Sequence, residues 1–161
     1  MVLAHMSVEG QTPHEAGRQL LAQMYLAQTG KPLPPVRKTP RGKPYLEGDP
    51  VYFSISHTRH HAFCVLSDRP VGIDAEEQTR IIPPLLAQKI LSPSELTRYE
   101  AAPDKNEALL RLWVLKEARS KFLGTGLTGY PNHTDFSPDD VRITRQYGCF
   151  VAVVQEEDYA V

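Results

Sequence analysis

Pro70-Val71-Gly72-Ile73-Asp74-Ala75-Glu76 and Trp113-Val114-Leu115-Lys116-Glu117-Ala118-Arg119-Ser120-Lys121 are the two stretches on which the fold turns. The first alternates. On a strand, successive side chains point to opposite faces, so Val71, Ile73 and Ala75 are expected to face a core. Asp74 and Glu76 then share the other face, with Gly72 leaving space beside them. The second stretch reads as helix. Trp113, Glu117 and Lys121 recur every four residues on one side, and Leu115, Ala118 and Phe122 line another. Two acids on a strand and an acid with a lysine on a helix suit a hard cation and a phosphate ester. Mg²⁺ takes a few carboxylates, keeps waters and draws its remaining ligands from substrate phosphates. A lysine can hold the phosphate as a point charge. Each stretch also has an ordinary reading. Acids alternating with apolar residues describe any half-solvated strand, and Glu117 with Lys121 is a common helix pair.

Outward from these stretches, residues 13–29 read as a helix, with Thr12 as N-cap, Pro13 in the first turn and Gly30 past the end. Residues 31–50 are rich in Pro, Gly and basic side chains and read as a loop. Residues 51–56 and 62–66 predict a hairpin turning at 58–61, and 71–76 the acidic strand. Short helices are expected at 84–90 and 94–99, the latter capped near Ser92-Pro93. The main helix covers 106–123, stopped by Gly124 and Gly126. A closing hairpin pairs 141–145 with 149–154. The order helix, hairpin, strand, helix, hairpin predicts an α+β fold of two similar halves. They divide at 68–70 into residues 1–69 and 70–161, with the site between them.

The chain has 161 residues, a net charge of −1 and a pI near 6.6. That balance supplies no electrostatic argument for a nucleic-acid partner. With 41% hydrophobic residues the composition is that of a globular chain. Cys64 and Cys149 lie in apolar runs and read as buried thiols, not as a secreted disulfide framework. No leader pattern and no membrane-length apolar run are seen, so no membrane partner and a cytoplasmic location are expected.

The motif order is Gly42-Lys43-Pro44-Tyr45, then Phe53-Ser54-Ile55-Ser56-His57, then Pro70 to Glu76, then Leu112-Trp113-Val114-Leu115-Lys116-Glu117-Ala118 running on to Gly124-Thr125-Gly126-Leu127. The G-x-D-x-E and W-x-x-K-E-A-x-x-K patterns stand about forty residues apart. This resembles the 4′-phosphopantetheinyl transferase superfamily, and within it the surfactin-type (Sfp-type) branch, with a shortened N-terminus. The likeness covers roughly residues 14–154. It implies the fold of that family, a pseudo-dimer of two α+β halves. It also implies transfer of the 4′-phosphopantetheine arm from coenzyme A to a serine of an apo carrier protein, releasing 3′,5′-ADP. Carried over by position, Asp74, Glu76 and Glu117 resemble the Mg²⁺ ligands. Glu117 also resembles the base for the carrier serine. Lys121 resembles the residue on the coenzyme A pyrophosphate. Ser56 and His57 resemble a pair touching coenzyme A phosphate. Lys43 and Pro44 resemble the segment holding the adenosine 3′-phosphate and adenine, and Arg18 a helix arginine on that phosphate. Glu95 falls where the family has an acidic residue near the site.

The chain departs from that pattern at its start, where only 13 residues precede His14. The expectation is that the first half lacks an edge strand, which would favour a homodimer covering the exposed edge. Two other readings compete. One is a coenzyme A or nucleotide-binding module with weakened turnover. The other is a zinc site at His57, His60 and His61, disfavoured because neighbours on an extended chain point apart. For a carrier protein, the expected docking surface is apolar with basic charges and includes Arg80, Ile81, Ile82 and Arg98.

Overall fold

Thr12 starts the first helix as expected. Its side chain accepts from the Glu15 amide, and Glu15 reaches back to the Thr12 amide, satisfying two orphan donors reciprocally. The helix α1 (Pro13–Thr29) ends at Gly30, which adopts a left-handed φ of 70° and donates to the Leu26 carbonyl. Its buried residues, Ala16, Gly17, Leu20, Leu21, Met24 and Tyr25, form one stripe. The computed structural model describes residues 1–126 and 131–155. The parts of the expected second half at 127–130 and 156–161 lie outside these described residues.

The stripe of α1 lies on a three-stranded antiparallel sheet of β1 (Val2–Ser7), β4 (Tyr52–His57) and β5 (His61–Ser67), ordered β1-β5-β4. The residues before His14 are therefore not strandless. Val2 to Ser7 pair with Leu66 to His61 and occupy the edge that was expected to be open. This removes the ground on which a homodimer was expected. The 31–50 segment is likewise not all loop. It holds a small ribbon, β2 (Val36–Lys38) on β3 (Pro44–Leu46), turned through residues that include Gly42 at φ 90°. Local turn residues dominated the sequence signal there, whereas burial of Leu46 against α1 and β5 decides the ribbon.

The acidic strand is β6 (Val71–Glu77). It pairs with β8 (Cys149–Gln155), which pairs with β7 (Ile143–Gln146), in the order β6-β8-β7. Tyr147 and Gly148 turn the β7–β8 hairpin with φ 50° and 72°, as a two-residue turn requires. Both sheets follow one rule: the strand before the long helix pairs with the last strand of the hairpin after it. Between β6 and β7 come a 3₁₀ turn (Pro84–Leu86), the single-turn α2 (Ala87–Ile90), α3 (Pro93–Ala101) and α4 (Lys105–Leu123). The expected helix at 84–90 is thus split into a 3₁₀ turn and a single α turn. Helix α4 starts at Asp104, whose side chain accepts from the Glu107 amide, and stops at Gly124 with φ 72°.

Val71, Ile73 and Ala75 do face a core, shared with Phe63, Val65, Cys149 and Val151. Gly72 does not leave space. A Cβ there would overlap the Ala118 carbonyl oxygen and the backbone nitrogen and Cα of Phe122. Helix α4 lies backbone-on-backbone across β6, and only glycine permits that approach. Residue Ile82, expected on a surface, is 2% exposed within the core under α4. Both cysteines are buried free thiols, and burial pushes Cys64 up to about 12. No described helix is long and apolar enough to cross a membrane.

The crossing at Gly72 makes a direct prediction. Gly72→Ala forces α4 off β6 and lowers stability by about 3 kcal/mol, read by urea unfolding. An unchanged unfolding midpoint would show that the helix is not seated there.

Candidate active site

The edge of β6 faces β4, and serine side chains join them. Ser54 Oγ accepts from the Ile73 amide at 3.1 Å, and Ser56 Oγ accepts from the Ala75 amide at 3.0 Å. Ser56 Oγ then donates to Asp74 Oδ1 at 3.1 Å. Lys121 Nζ, from α4, reaches the same Oδ1 at 2.9 Å and the Ile55 carbonyl at 3.3 Å. Asp74 is buried, and its other oxygen, Oδ2, has no hydrogen-bond partner. Two residues along, Glu76 Oε1 pairs with Arg80 Nη1 and accepts from the Trp113 indole N–H at 3.2 Å. Arg80 also stacks over the Trp113 ring, 5.5 Å from its centre. Glu117 completes the constellation from α4, on the side shared with Trp113 and Lys121.

These residues line a cleft of about 390 Å³ with Ile55, Ser56 and His57. An adjoining cleft of about 250 Å³ shares Ile55, Glu117 and Lys121 and runs on past Arg41, Gly42, Lys43, Pro44, Ser54 and Ser120. Desolvation, then the Asp74 charge, pushes Glu117 up to about 7. Desolvation also raises Glu76, with Asp74 adding to it against Arg80. Partial desolvation and the Lys121 ammonium lower His57. Three carboxylates held together against desolvation call for a cation, and Lys121 and Arg80 supply that charge here. Among the described residues no three His, Cys, Asp or Glu side chains form a ready chelate. The donors nevertheless fit a hard cation. They are all oxygen, and buried Asp74 Oδ2 lacks any partner.

The expected residues are placed unevenly. Asp74, Glu76, Glu117, Lys121, Ser56 and His57 share one cleft, and Lys43 and Pro44 lie in the next. Ser56 is only 4% exposed, and its hydroxyl is engaged by Ala75 and Asp74, so it positions the aspartate. Lys43 Nζ donates to the Phe122 carbonyl at the end of α4, and its stem lies against Gly124. It caps the negative pole of that helix, and burial lowers its ammonium. Arg18 lies on α1 and lines neither cleft. One turn before it, however, the His14 ring stands edge-on to His57, with centres 6.5 Å apart. Glu95 sits away from both clefts. It is 0% exposed, caps α3 through the Ser92 amide, accepts from the Phe136 amide, and pairs with Lys116 Nζ at 2.7 Å. The histidines near the β4–β5 turn diverge: His60 pairs with Glu77 and His61 with His5.

Sequence reasoning missed Trp113 and Arg80 as partners of Glu76. The four-residue spacing of Trp113 from Glu117 already put both on one side, but nothing local tied either Trp113 or Arg80 to Glu76. Sequence reasoning also missed Ser54 and Ser120, for which no local signal exists.

Relatives sharpen this arrangement. The sequence model of the family described as "4′-phosphopantetheinyl transferase superfamily" matches residues 70–159, which carry all three carboxylates and Lys121. The chain belongs to this superfamily. It is 30% identical over 93 residues to the 4′-phosphopantetheinyl transferase gsp of Aneurinibacillus migulanus, covering 56% of this chain and 38% of that protein. It is 33% identical over 90 residues to a 4′-phosphopantetheinyl transferase of Bacillus subtilis, covering 54% and 40%. It is 41% identical over 51 residues to a holo-[acyl-carrier-protein] synthase of Aliivibrio salmonicida, covering 32% and 40%. The match thus spans about two fifths of each of these curated relatives.

Two tests follow from this chemistry. Because Glu117 holds its proton up to about 7 when folded but releases it near 4.5 unfolded, its contribution to stability falls as pH rises through that window. The lowered His5 and His57 act in the opposite sense. The informative quantity is therefore wild type minus Glu117→Gln. That difference in melting temperature should fall between about pH 4.5 and 7 in EDTA and shrink in Mg²⁺. A pH-independent difference would refute the raised carboxyl. Separately, Glu95→Ala should cost about 3–5 kcal/mol by stranding Lys116, and Glu95→Leu/Lys116→Met should recover most of it. Equal losses in the two variants would refute the stranded-charge account.

Proposed function

We propose that this chain is a holo-[acyl-carrier-protein] synthase, a 4′-phosphopantetheinyl transferase. Its substrates are coenzyme A and an apo carrier protein, of acyl, polyketide or peptidyl type. The halves 1–69 and 70–161 act as a pseudo-dimer with the reaction centre at their junction. The observation that carries this reading is the carboxylate face of Asp74, Glu76 and Glu117 opposed by Lys121, in a chain of this superfamily.

Asp74, Glu76 and Glu117 would hold Mg²⁺, Asp74 through its unpartnered Oδ2 and Glu76 after release from Arg80. When bound, that ion neutralises pyrophosphate charge. Lys121, which bridges Asp74 and the Ile55 carbonyl, turns its remaining N–H toward the pyrophosphate. His57 offers a ring N–H to the same phosphates from the cleft wall, and Arg18 adds charge from α1. Lys43 and Pro44 form the wall against which the nucleotide lies. The carrier serine oxygen attacks the β-phosphorus, its proton passes to Glu117, and the bond to 3′,5′-ADP breaks. Ser56 keeps Asp74 oriented throughout, and Trp113 orients Glu76. Ile81, 74% exposed beside Arg80, offers an apolar contact for the carrier protein. Arg98 is tied to Asp135 and the Phe136 carbonyl and lines neither cleft.

The test is intact-protein mass spectrometry of an apo carrier protein incubated with this chain, coenzyme A and Mg²⁺. A gain of one phosphopantetheine arm is expected, abolished by EDTA and reduced at least ~100-fold in rate by Glu117→Gln. Coenzyme A binding with no gain on any of the three carrier types would instead favour a binding module without turnover.

A further inference from the structure

Three side chains that line neither cleft join the first sheet to the second. On the first sheet, His5 of β1 stands opposite Phe63 of β5, and Ser7 opposite His61, so His5 and His61 are diagonal neighbours on one face. His5 Nε2 and His61 Nδ1 lie 2.9 Å apart, a hydrogen bond between two half-buried rings. From the second sheet, Tyr147 of the β7–β8 turn lies flat on His5, with ring centres 3.6 Å apart and planes 9° from parallel. Tyr147 holds that place at φ 50°, in a two-residue turn that favours Asn or Gly at this position. A side chain kept in the left-handed region needs support from its surroundings, and the His5 ring supplies it. The turn itself is tied to the end of β6 by the Gln78 amide, which donates to the Gly148 carbonyl.

We infer that His5, His61 and Tyr147 form a proton-sensitive latch that fastens the first sheet to the β7–β8 turn at neutral pH and opens in mild acid. A hydrogen bond between two imidazoles needs one nitrogen that carries a proton and one that does not. One neutral ring is therefore enough, and the bond survives a single added proton. The second proton leaves two donors facing each other and two like charges side by side. The other titratable groups at this end of the seam are His60 in the β4–β5 turn, Glu77 at the end of β6 and Cys149 at the start of β8. Cys149 is buried, and its thiol is pushed up to about 11, so it stays neutral. Glu77 is already engaged by Thr58 and His60. Among the described residues no carboxylate pairs with His5 or His61, so the second charge is not offset. Burial, then the charge of His61, lowers His5. The latch thus takes its second proton less readily than the unfolded chain does. Its contribution to stability is present above the ordinary histidine value of about 6.5 and is lost as pH falls below it. Once open, the latch frees His5 to turn toward water and leaves Tyr147 without its stack.

The test compares wild type with two variants. His5→Phe keeps a ring against Tyr147 but cannot titrate, and His61→Gln keeps a polar partner for His5 but cannot take the second proton. Melting temperatures are read between about pH 7.5 and 5, and the titrations shared by the three proteins cancel in the differences. The wild-type value minus that of either variant should fall by about 2–4 °C across that range. Hydrogen exchange, corrected for the intrinsic pH dependence of its rate, should show residues 2–7 and 143–150 of wild type opening several-fold more in acid, with both variants unchanged. Either variant decides the outcome if the other does not fold. A difference that stays constant or rises as pH falls, or acid opening that is equal in all three proteins, overturns the latch and leaves the proposed function standing.

Discussion

The junction between the two sheets depends on two serine hydroxyls. An edge strand presents amides that must be paired or hydrated. Strand β6 presents those of Ile73 and Ala75 toward β4, and the side chains of Ser54 and Ser56 accept from them. Side chains thus replace a backbone ladder at this seam. The replacement has a chemical consequence, because a hydroxyl that accepts through a lone pair still has a proton to donate. Ser56 gives that proton to Asp74. The bond that closes the junction therefore also orients the central carboxylate of the site.

Helix α4 supplies the other half of the centre, and Gly72 sets how closely it can lie. With backbone against backbone at this crossing, the Glu117 and Lys121 side of the helix faces the acid face of β6. The neighbouring residue, Lys116, is almost fully buried and is held by Glu95, which also caps α3 and accepts from the Phe136 amide. A buried ion pair of this kind is weak evidence for net stability, but loss of one partner strands the other charge. The far end of α4 is tied to the first half by Lys43 on the Phe122 carbonyl. The helix is thus held by a glycine crossing, a buried ion pair and a capping lysine.

Electrostatics at the junction is a balance of few charges. Desolvation raises Glu117 and Glu76, while Lys121 and Arg80 offset it. That arrangement suits the proposed centre, in which Lys121 and Arg80 would exchange a carboxylate for a phosphate when a cation and a polyanion bind. It also accounts for the contrast between the clefts. The larger holds the carboxylates and His57. The smaller is walled by Arg41 and Ser120, whose polar groups have no other engagement among the described residues.

Much of this was legible in the order of residues alone. Period-two alternation at 71–76, four-residue spacing at 113–121, and the caps Thr12, Gly30, Ser92 and Gly124 are local properties, and the structure follows them. Local patterns could not reveal what depends on a distant partner. Ser56 read as a phosphate contact, because nothing in its own segment shows that Asp74 and Ala75 lie against it. Gly72 read as open space, because the residues that occupy it, Ala118 and Phe122, come more than forty residues later in the chain. The ribbon at 36–46 and the strand at 2–7 were missed because short segments take extended form through burial and pairing, not through propensity. The sequence by itself determined which residue types stand on each face of each element. Tertiary structure alone decided which faces meet, and therefore which polar atoms are engaged and which are left for a ligand.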